Sequence, residues 1–477
     1  MSTLSQPPAP VLPTGEVRRP PAPGLVLTIV CAGVVLASLD LFIVNVALPQ
    51  IGRDFHLRGA SLADLSWVLN AYAIVYAALL VLLGRIAERY RRDLGFLAGV
   101  AVFVVGSIAC SAATDLPQLI AFRIVQAAGA ALLTPTSLSL ILASFAPEHR
   151  AGAVRTWTAV GGLAATLGPV LGGLLVAVSW RWVFLVNVPV GLLALAVGWR
   201  RLPRVAGHPV LPPERWGAAL LTAGVAALVL GLVNGSRWGW ASAPTLAALA
   251  GGVALLVVFA GRCVRSANPL VDPRLFRLRP FTGASVVAAV FSAAFGAMLL
   301  SRVLWAQDVW HWSPVITGLS IAPGPLMVPL VSFLVTGRLG QRLGAGATIA
   351  IGCTAFAIGA VWWALAQTLT PDYAGEMLGG MILTGIGVGL ALPTIMATGT
   401  SSLPPHSLAT GSAVVNMFRQ IGLAIGVAVL IALLGEPHSA SSTLAAYRAG
   451  SLAVAAIALL AAAVSLLVLR PAADRHD

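Results

Sequence analysis

A chain of 477 residues, of which 58% are hydrophobic and only 9% charged, cannot cover itself with a water-facing surface, since soluble domains carry about 25% charged residues. The mean hydropathy of +0.92 therefore predicts an integral membrane protein. The net charge of +13 comes from arginine alone. Because the arginines are spread over many short loops, they favour orientation of the chain in the membrane over nucleic-acid binding.

In chain order, residues 1–23 are rich in proline and predict a disordered cytoplasmic tail. The apolar run behind them lacks a small-residue cleavage site, which predicts a retained helix rather than a signal peptide. Runs of about 20 residues, the length that crosses a bilayer, then lie near 24–47, 63–85, 94–114, 117–143, 154–178, 181–200, 216–234, 242–264, 281–303, 313–336, 346–367, 375–398, 411–434 and 448–469. These runs predict an all-α integral membrane protein with about 14 transmembrane helices.

Two similar turns indicate an internal repeat. "GRIAERYRR" follows the second predicted helix, and "GRLGQRLG" follows the second helix of the last six. Transporters built from duplicated bundles show weak repeats of this kind. The predicted organisation is an N-terminal six-helix bundle at 24–205, an inserted pair of helices at 206–270, a C-terminal six-helix bundle at 271–470 and a cytoplasmic tail at 471–477.

An even number of helices puts both termini on one side of the membrane. The arginine-rich stretches "GRIAERYRRD" and "WRRLPR" fall on that same side, which is therefore predicted to be cytoplasmic. The complete absence of lysine beside abundant alanine, glycine and arginine indicates a G/C-rich bacterial genome. The predicted location is the bacterial inner membrane.

The sequence lacks the motifs of enzymes and of ATP-driven pumps. It contains no Walker loop, no G-x-S-x-G and no H-E-x-x-H, and its seven histidines are scattered. The four cysteines show no metal-ligand spacing and no close pair, so neither a metal site nor a disulfide is predicted. We expect a protein that is not an enzyme and needs no cofactor.

One acid lies inside the first apolar run, in "SLDLFIVNVALPQI". Asp40 is about seven residues, or ~10 Å, inside the predicted outer end of its helix. A charge at this depth is costly and rarely present without a function. The alternative, an aspartate that reaches the outer headgroups, requires a longer side chain.

Several stretches together resemble the major facilitator superfamily and, within it, the fourteen-helix drug:proton antiporters, over about residues 24–470. The first is "LDLFIVNVALPQI", similar to the first-helix signature of that subfamily. "SWRWVFLVNVPVG" and "SAVVNMFRQIGLAIG" are also typical of it. The resemblance implies a major facilitator fold of two six-helix bundles and export of drugs or other small amphipathic molecules in exchange for protons.

The loop "GRIAERYRRD" is similar to the family's Gly-x-x-x-Asp-Arg-x-Gly-Arg motif. Gly84, Arg89 and Arg92 match it, Glu88 replaces the aspartate, and Arg91 replaces the second glycine. The resemblance implies a gating role for Gly84, Glu88, Arg89 and Arg92, because an acid at an inner loop can latch one bundle to the other. Ordinary anchoring by positive charge is compatible with the same residues.

Two further motifs concern the fourth and fifth helices. "RIVQAAGAA" resembles the family's Arg-x-x-Gln motif and puts Arg123 and Gln126 one turn apart on a helix face. "LGPVLGGLL" resembles the Gly-Pro signature that accompanies antiport in this superfamily. It assigns conformational roles to Gly168, Pro169, Gly172 and Gly173.

Polar residues within helices are the candidates for the substrate cavity. They are Asn45, Asn70, Tyr72, Gln126, Asn416, Arg419 and Gln420. For Arg419, extension to the inner interface is the alternative. Asp64, Asp115, Asp308, Asp372 and Glu376 are assigned to outer helix ends or loops. With no clear mid-membrane acid in the last six helices, neutral or weakly charged substrates are expected.

Asp40 and Arg123 are the predicted proton-coupling residues. Their helices run in opposite directions, their depths match, and the family fold puts both helices at the central cavity. Arg123 would favour the ionised form of Asp40, whereas burial would favour its neutral form, so the two effects on Asp40 oppose each other. The predicted partners are a small-molecule substrate, protons and membrane lipid, without nucleic acid and with the protein as a monomer. A proton-coupled uptake symporter and a non-transporting sensor on the same fold are the alternatives.

Overall fold

The computed structural model describes residues 22–55, 62–205, 215–266, 269–404, 407–435 and 439–469, and within them every regular element is helical. The first half contains α1 (Pro23–Asp54), α2 (Leu62–Arg89), α3 (Arg92–Ala112), α4 (Leu116–Ser144), α5 (Pro147–Val176), α6 (Trp182–Leu185) and α7 (Asn187–Arg201). A pair follows, α8 (Arg215–Trp238) and α9 (Ala243–Arg265). The second half contains α10 (Arg279–Leu304), α11 (Pro314–Ile321), α12 (Pro323–Val331), α13 (Gly337–Ala366), α14 (Gly379–Ser401), α15 (Leu408–Leu434) and α16 (Ala440–Val468).

Short segments of other helical types join these elements. A 3₁₀ turn at Pro273–Arg277 precedes α10, and π-helical segments lie at Trp305–Val309, Ser332–Thr336 and Tyr373–Leu378. Residues 1–21 and 470–477, which include most of the two predicted tails, and the connection at 206–214 lie outside the described residues; Pro23, assigned to the first tail, already begins α1.

Twelve segments of the described chain are long and apolar enough to cross a membrane. One of them, Val315–Ala366, has 52 residues, and at 1.5 Å per residue it is far longer than the ~30 Å bilayer core. The count of fourteen crossings thus stays a prediction, while the multi-pass helical architecture is confirmed.

Proline and glycine explain where predicted helices are divided. The predicted helix at 313–336 consists of α11, α12 and a π-helical segment, because Pro323 lacks the N–H that would continue α11. α13 begins earlier than predicted and breaks at Gly344, whose φ of 81° favours glycine. The predicted helix at 181–200 is divided into the single turn α6 and the longer α7.

The helices pack as two groups with one interface between them. In the first half α1 packs on α5, and α4 packs on α2 and α3; in the second, α10 packs on α15 and α13 on α14 and α16. α2 contacts α15, and α5 contacts α11 and α12, across the middle of the molecule. α8 packs on α9 and lies against α2 and α15. The site residues lie on both sides of this interface.

Candidate functional site

A buried ion pair joins α1 to α4. Asp40 and Arg123 are both fully buried, and the Arg123 Nη1 donates to Asp40 Oδ2. Gln126, one turn along α4, accepts from the same Nη1 at 2.6 Å and donates to Asp40 Oδ1 at 2.8 Å. The two charges and the amide therefore form one closed hydrogen-bonded unit.

Three more groups hydrogen-bond to this unit, while Arg123 Nη2 has no hydrogen-bond partner among the described residues. The Gln126 Nε2 also donates to Ser107 Oγ on α3 at 2.8 Å, and Asn187 Nδ2 at the start of α7 donates to Asp40 Oδ1 at 3.4 Å. The Arg123 Nε donates to the Val68 carbonyl of α2 at 3.1 Å. Five helices thus hold the pair. Asn187 belongs to a stretch that the sequence singled out, but its role as a partner of Asp40 was not predicted.

Aromatic rings enclose the guanidinium. The Arg123 guanidinium carbon lies 4.2 Å from the centroid of the Tyr72 ring and 5.8 Å from that of Phe184. Tyr72 stacks on Tyr76 with ring centroids 5.8 Å apart. Desolvated contacts of this kind stabilise a cation by about 2 kcal/mol. They also bring the ion pair next to the cavity, because both tyrosines line its wall.

The cavity lies between the two halves and has a volume of about 140 Å³. Its described wall is mostly apolar and aromatic and includes Trp157 from α5 and Phe295 from α10. Of the candidate residues, Tyr72, Asn416, Arg419 and Gln420 line it.

Arg419 is the only charged residue among the described residues that line the cavity. It is the twelfth residue of α15, about 17 Å along the helix from its first residue, so the structure places it on the cavity wall and well away from the helix end. Its Nε has no hydrogen-bond partner among the described residues. Gln126, predicted for the cavity, lies with the ion pair instead, because its amide bonds to both charges. The side chains of Asn45 and Asn70 lie outside the described residues.

The glycines of the Gly-Pro motif bring α5 close to two neighbours. A Cβ at Gly168 would lie 2.8 Å from the Cβ of Phe42, and one at Gly172 would lie 3.0 Å from the Ile43 carbonyl oxygen, both on α1. A Cβ at Gly173 would lie 2.9 Å from the Cα of Val315 in α11. One short segment of α5 therefore contacts the helix of Asp40 and the opposite bundle. The side chain of Pro169 lies outside the described residues.

At the loop between α2 and α3, the described contact between an acid and an arginine joins residues that are close in sequence. Arg91 donates through Nη2 to Asp93 Oδ2 at 2.5 Å, and this hydrogen bond raises the pKa of Arg91. Gly84 is buried, and the guanidinium of Arg89 lies 5.7 Å from the centroid of the Tyr90 ring. The backbone N–H of Arg92 donates to the Val205 carbonyl at 3.1 Å, which ties this loop to the end of the sixth predicted crossing. The side chain of Glu88, the predicted latch acid, lies outside the described residues.

Two buried charges were missed by the sequence analysis. Glu376 was assigned to an outer helix end or loop, yet it is only 1% exposed and lies in an apolar segment, Tyr373–Ser401. Arg302 is also 1% exposed. Its position near the end of α10 gave no sign of burial, because that depends on helices distant in sequence.

Comparison with known proteins gives a consistent family. The model of the Major Facilitator Superfamily matches residues 30–427. The Cephamycin export protein CmcT of Amycolatopsis lactamdurans is 34% identical over 96% of this chain and 94% of its own length. The Methylenomycin A resistance protein of Streptomyces coelicolor is 32% identical over 90% of this chain and 89% of its own. The multidrug resistance protein Stp of Mycobacterium tuberculosis is 34% identical over 85% of this chain and 76% of its own.

Solved structures share the fold. The human organic anion transporter MFSD10 (TETRAN) superposes with a TM-score of 0.68 at 15% identity, covering 93% of this chain and all of that one. The POT family transporter PepTSo superposes with a TM-score of 0.63 at 17% identity, covering 94% of this chain and 98% of that one. At these identities the likeness concerns the fold alone.

Proposed function

The chain belongs to the Major Facilitator Superfamily, and we propose that it is a proton-driven exporter of drugs or other small amphipathic organic molecules. It is a multi-pass membrane transporter and not an enzyme. The names of its relatives, a cephamycin export protein, a methylenomycin A resistance protein and a multidrug resistance protein, support the export of antibiotics or drugs.

The contact between Tyr72 and Arg123 is the observation that carries this proposal. One face of Tyr72 covers the guanidinium at 4.2 Å, and the residue also lines the cavity between the bundles. A substrate in the cavity and a proton on Asp40 would therefore act on adjacent parts of one structure. Binding at either place changes the surroundings of the other, which is the requirement for coupled transport.

Protonation of Asp40 removes the negative charge that holds Arg123. The ion pair weakens, and α1 and α4 are no longer held together by opposite charges. Because the backbone of α5 packs closely on α1 and its Gly173 contacts Val315 across the interface, a shift of α1 reaches the opposite bundle. The proton gradient supplies about 2.3 kcal/mol per charge per 100 mV, together with the pH difference. The transporter then needs no cofactor.

The cavity wall also bears on the charge of the substrate. Its one described charged residue, Arg419, can donate hydrogen bonds to an acidic or carbonyl group, while the aromatic wall accepts an apolar body. We extend the expectation of neutral or weakly charged substrates to amphipathic molecules that carry an acceptor or an anionic group.

The proposal extends to the membrane, the orientation of the termini and the oligomeric state. The chain would reside in the bacterial inner membrane with both termini in the cytoplasm and would act as a monomer surrounded by lipid. The arginine-rich inner loops support this orientation.

Two measurements test the proposal together. The first is drug susceptibility of a pump-deficient bacterial host with and without the chain. The second is uptake of anilinonaphthalene sulfonate and of the uncharged dye N-phenylnaphthylamine into inside-out vesicles whose lumen is acidified, with Asp40→Asn as the uncoupled control. Accumulation that follows the acid lumen supports export. Loss of dye from the acid lumen would support a symporter, and a lack of any flux with every compound of the susceptibility panel would support a sensor.

A further inference from the structure

A second buried arginine and a second buried acid lie in the other half of the chain. Arg302 is near the end of α10, and Glu376 is in the π-helical segment that leads into α14. Each is 1% exposed. Buried charges in membrane-spanning helices are costly and mark functional positions.

The two sites are related through the predicted division into bundles. Asp40 is on the first helix of the first bundle and Arg123 on the fourth. Arg302 is on the first helix of the second bundle, and Glu376 is on the fourth crossing. The second bundle thus repeats the first with the signs of the two charges exchanged.

The surroundings of the guanidinium repeat as well. Gln126 accepts from Arg123 in the first site. In the second, Gln367 accepts from both terminal nitrogens of Arg302, at 2.9 and 3.1 Å, once its amide oxygen is turned toward them. The ring of Trp363 covers the second guanidinium at 4.7 Å, as Tyr72 covers the first at 4.2 Å.

The sites differ in whether the charges touch. Arg302 is held by neutral groups, since its Nη2 donates to Ser301 Oγ at 2.9 Å and to Ser451 Oγ on α16 at 3.2 Å. Within the described residues no acid lies within the 4.0 Å of an ion pair with it. Glu376 attracts Arg302 only across a gap.

Glu376 is poorly satisfied as an anion. Its Oε2 accepts from the backbone N–H of Thr368 at 3.0 Å, but the buried Oε1 has no hydrogen-bond partner among the described residues. The indole nitrogen of Trp305 interacts with this carboxyl, yet it too has no partner at hydrogen-bond distance. Burying an ionised carboxylate whose oxygen lacks a hydrogen-bond donor is costly, and burying the neutral carboxylic acid costs much less.

Some ionisable groups around the site favour the ionised form of Glu376, and others favour its protonated form. Arg302 on α10 attracts a negative charge on Glu376, and Asp372, at the start of the same segment, repels it. Around Arg302 lie Tyr447 of α16 and, near that tyrosine, Asp308 of the segment that follows α10. Arg448 donates to the Gln367 carbonyl at 2.9 Å.

We propose that Glu376 is a second proton-binding site, which holds its proton in this conformation while Asp40 is paired with Arg123. A proton adds to a carboxylate oxygen and later leaves it, and no other bond is made or broken. When the proton leaves, the carboxylate is free to pair with Arg302 and draws α14 toward α10. The inference rests on the proposed proton-driven function and assigns one proton site to each bundle.

Infrared spectroscopy of the purified full-length protein in lipid tests this without any substrate. We expect wild type at neutral pH to show the C=O stretching band of a buried protonated carboxyl group, which disappears when the pH is raised. Glu376→Gln should lose this band. Glu148→Gln, a change at an exposed glutamate, and Asp40→Asn should keep it.

Arg302→Gln should keep the band at pH values where wild type has lost it, because the attraction that favours ionisation is gone. Elution of each variant as a single species in size-exclusion chromatography controls for folding. A band that is the same in Glu376→Gln and wild type would overturn the proposal, as would its loss in Asp40→Asn alone.

Transport separates this inference from the proposed function. If the acid lumen drives dye uptake but the Glu376 band is missing, the second proton-binding site is refuted and the proposed export function is retained. If the band behaves as expected but no dye follows the proton gradient, the proposed function fails although the proton-binding site exists.

Discussion

Replacement of Arg123 by alanine removes one side of the ion pair and leaves a fully buried carboxylate. Asp40 would keep its hydrogen bonds from Gln126 at 2.8 Å and from Asn187 at 3.4 Å but would lose the one cation that pairs with it within the described part of the chain. In low dielectric the neutral acid is then favoured. We expect Asp40 to stay protonated at neutral pH and to be unable to release its proton inside.

The magnitude follows from the burial of both partners. Removing one partner of a buried pair costs about 3–5 kcal/mol, which corresponds to at least two orders of magnitude in the protonation equilibrium, since 1.36 kcal/mol is about tenfold. The exposed pair of Arg181 and Asp54, at 3.3 Å, is a matched control within the same bundle. A pair as exposed as this one contributes about 0–1 kcal/mol, so Arg181→Ala should have little effect.

The assay is dye flux in proteoliposomes as a function of internal pH, together with protein yield. Arg123→Ala should fail at neutral pH and recover in part as the internal pH is raised, because alkaline conditions remove the retained proton. The double variant Asp40→Asn with Arg123→Gln should be produced in higher yield than Arg123→Ala, because it leaves no unpaired charge, but it should not pump.

Additive losses in the single and double variants, without recovery at alkaline pH, would refute this reasoning. They would mean that the two residues contribute separately and that their contact in the structure has no part in coupling.

Three further predictions concern the same machinery. Asp40→Asn should insert normally and abolish proton-driven export, and normal flux on both sides of neutral pH would exclude Asp40 as the coupling residue. Gly173→Ala should slow turnover with binding unchanged, because a methyl group would lie 2.9 Å from the Val315 Cα and overpacking costs about 1–3 kcal/mol. Gly152→Ala is the control in the same helix, because the nearest atom to its added methyl group would be 3.9 Å away. Equal flux in the two variants would refute the argument. Arg419→Gln should reduce the preference for anilinonaphthalene sulfonate over uncharged N-phenylnaphthylamine by about tenfold in binding assays, because a hydrogen bond to a charged group is lost. An unchanged ratio of the two binding affinities would mean that Arg419 does not contact the substrate.

The fold class could be predicted because a bilayer leaves few alternatives. A backbone in hydrocarbon must satisfy its own hydrogen bonds, so apolar runs of sufficient length become helices. The family was recognised from motifs such as that around Asp40, and the family match and the relatives confirm it. The depths of Asp40 and Arg123 could be estimated from sequence, since helices rise regularly and the two lie well inside their runs.

Other features depend on contacts between distant segments and left no such signal. Glu376 lies only a few residues after a loop, and the groups that interact with it, Arg302 and Trp305, belong to α10 and the segment that follows it. The bond of Asn187 to Asp40 depends on where α7 begins after the turn of α6. The role of Gln126 could have been found, because it is one turn from Arg123 on the same face and a buried guanidinium needs more than one acceptor.

The position of Tyr72 explains why a buried pair can serve a pump with substrates of varied structure. The ion pair itself does not line the cavity, so a substrate need not recognise Asp40 or Arg123 directly. It has to contact only the wall formed by Tyr72 and Tyr76, because Tyr72 both lines the cavity and lies over the guanidinium. An aromatic surface accepts many apolar shapes at similar cost. Selection of the substrate can then be left to the rest of the wall, above all to Arg419, while the response of the ion pair stays the same for every molecule that displaces the ring.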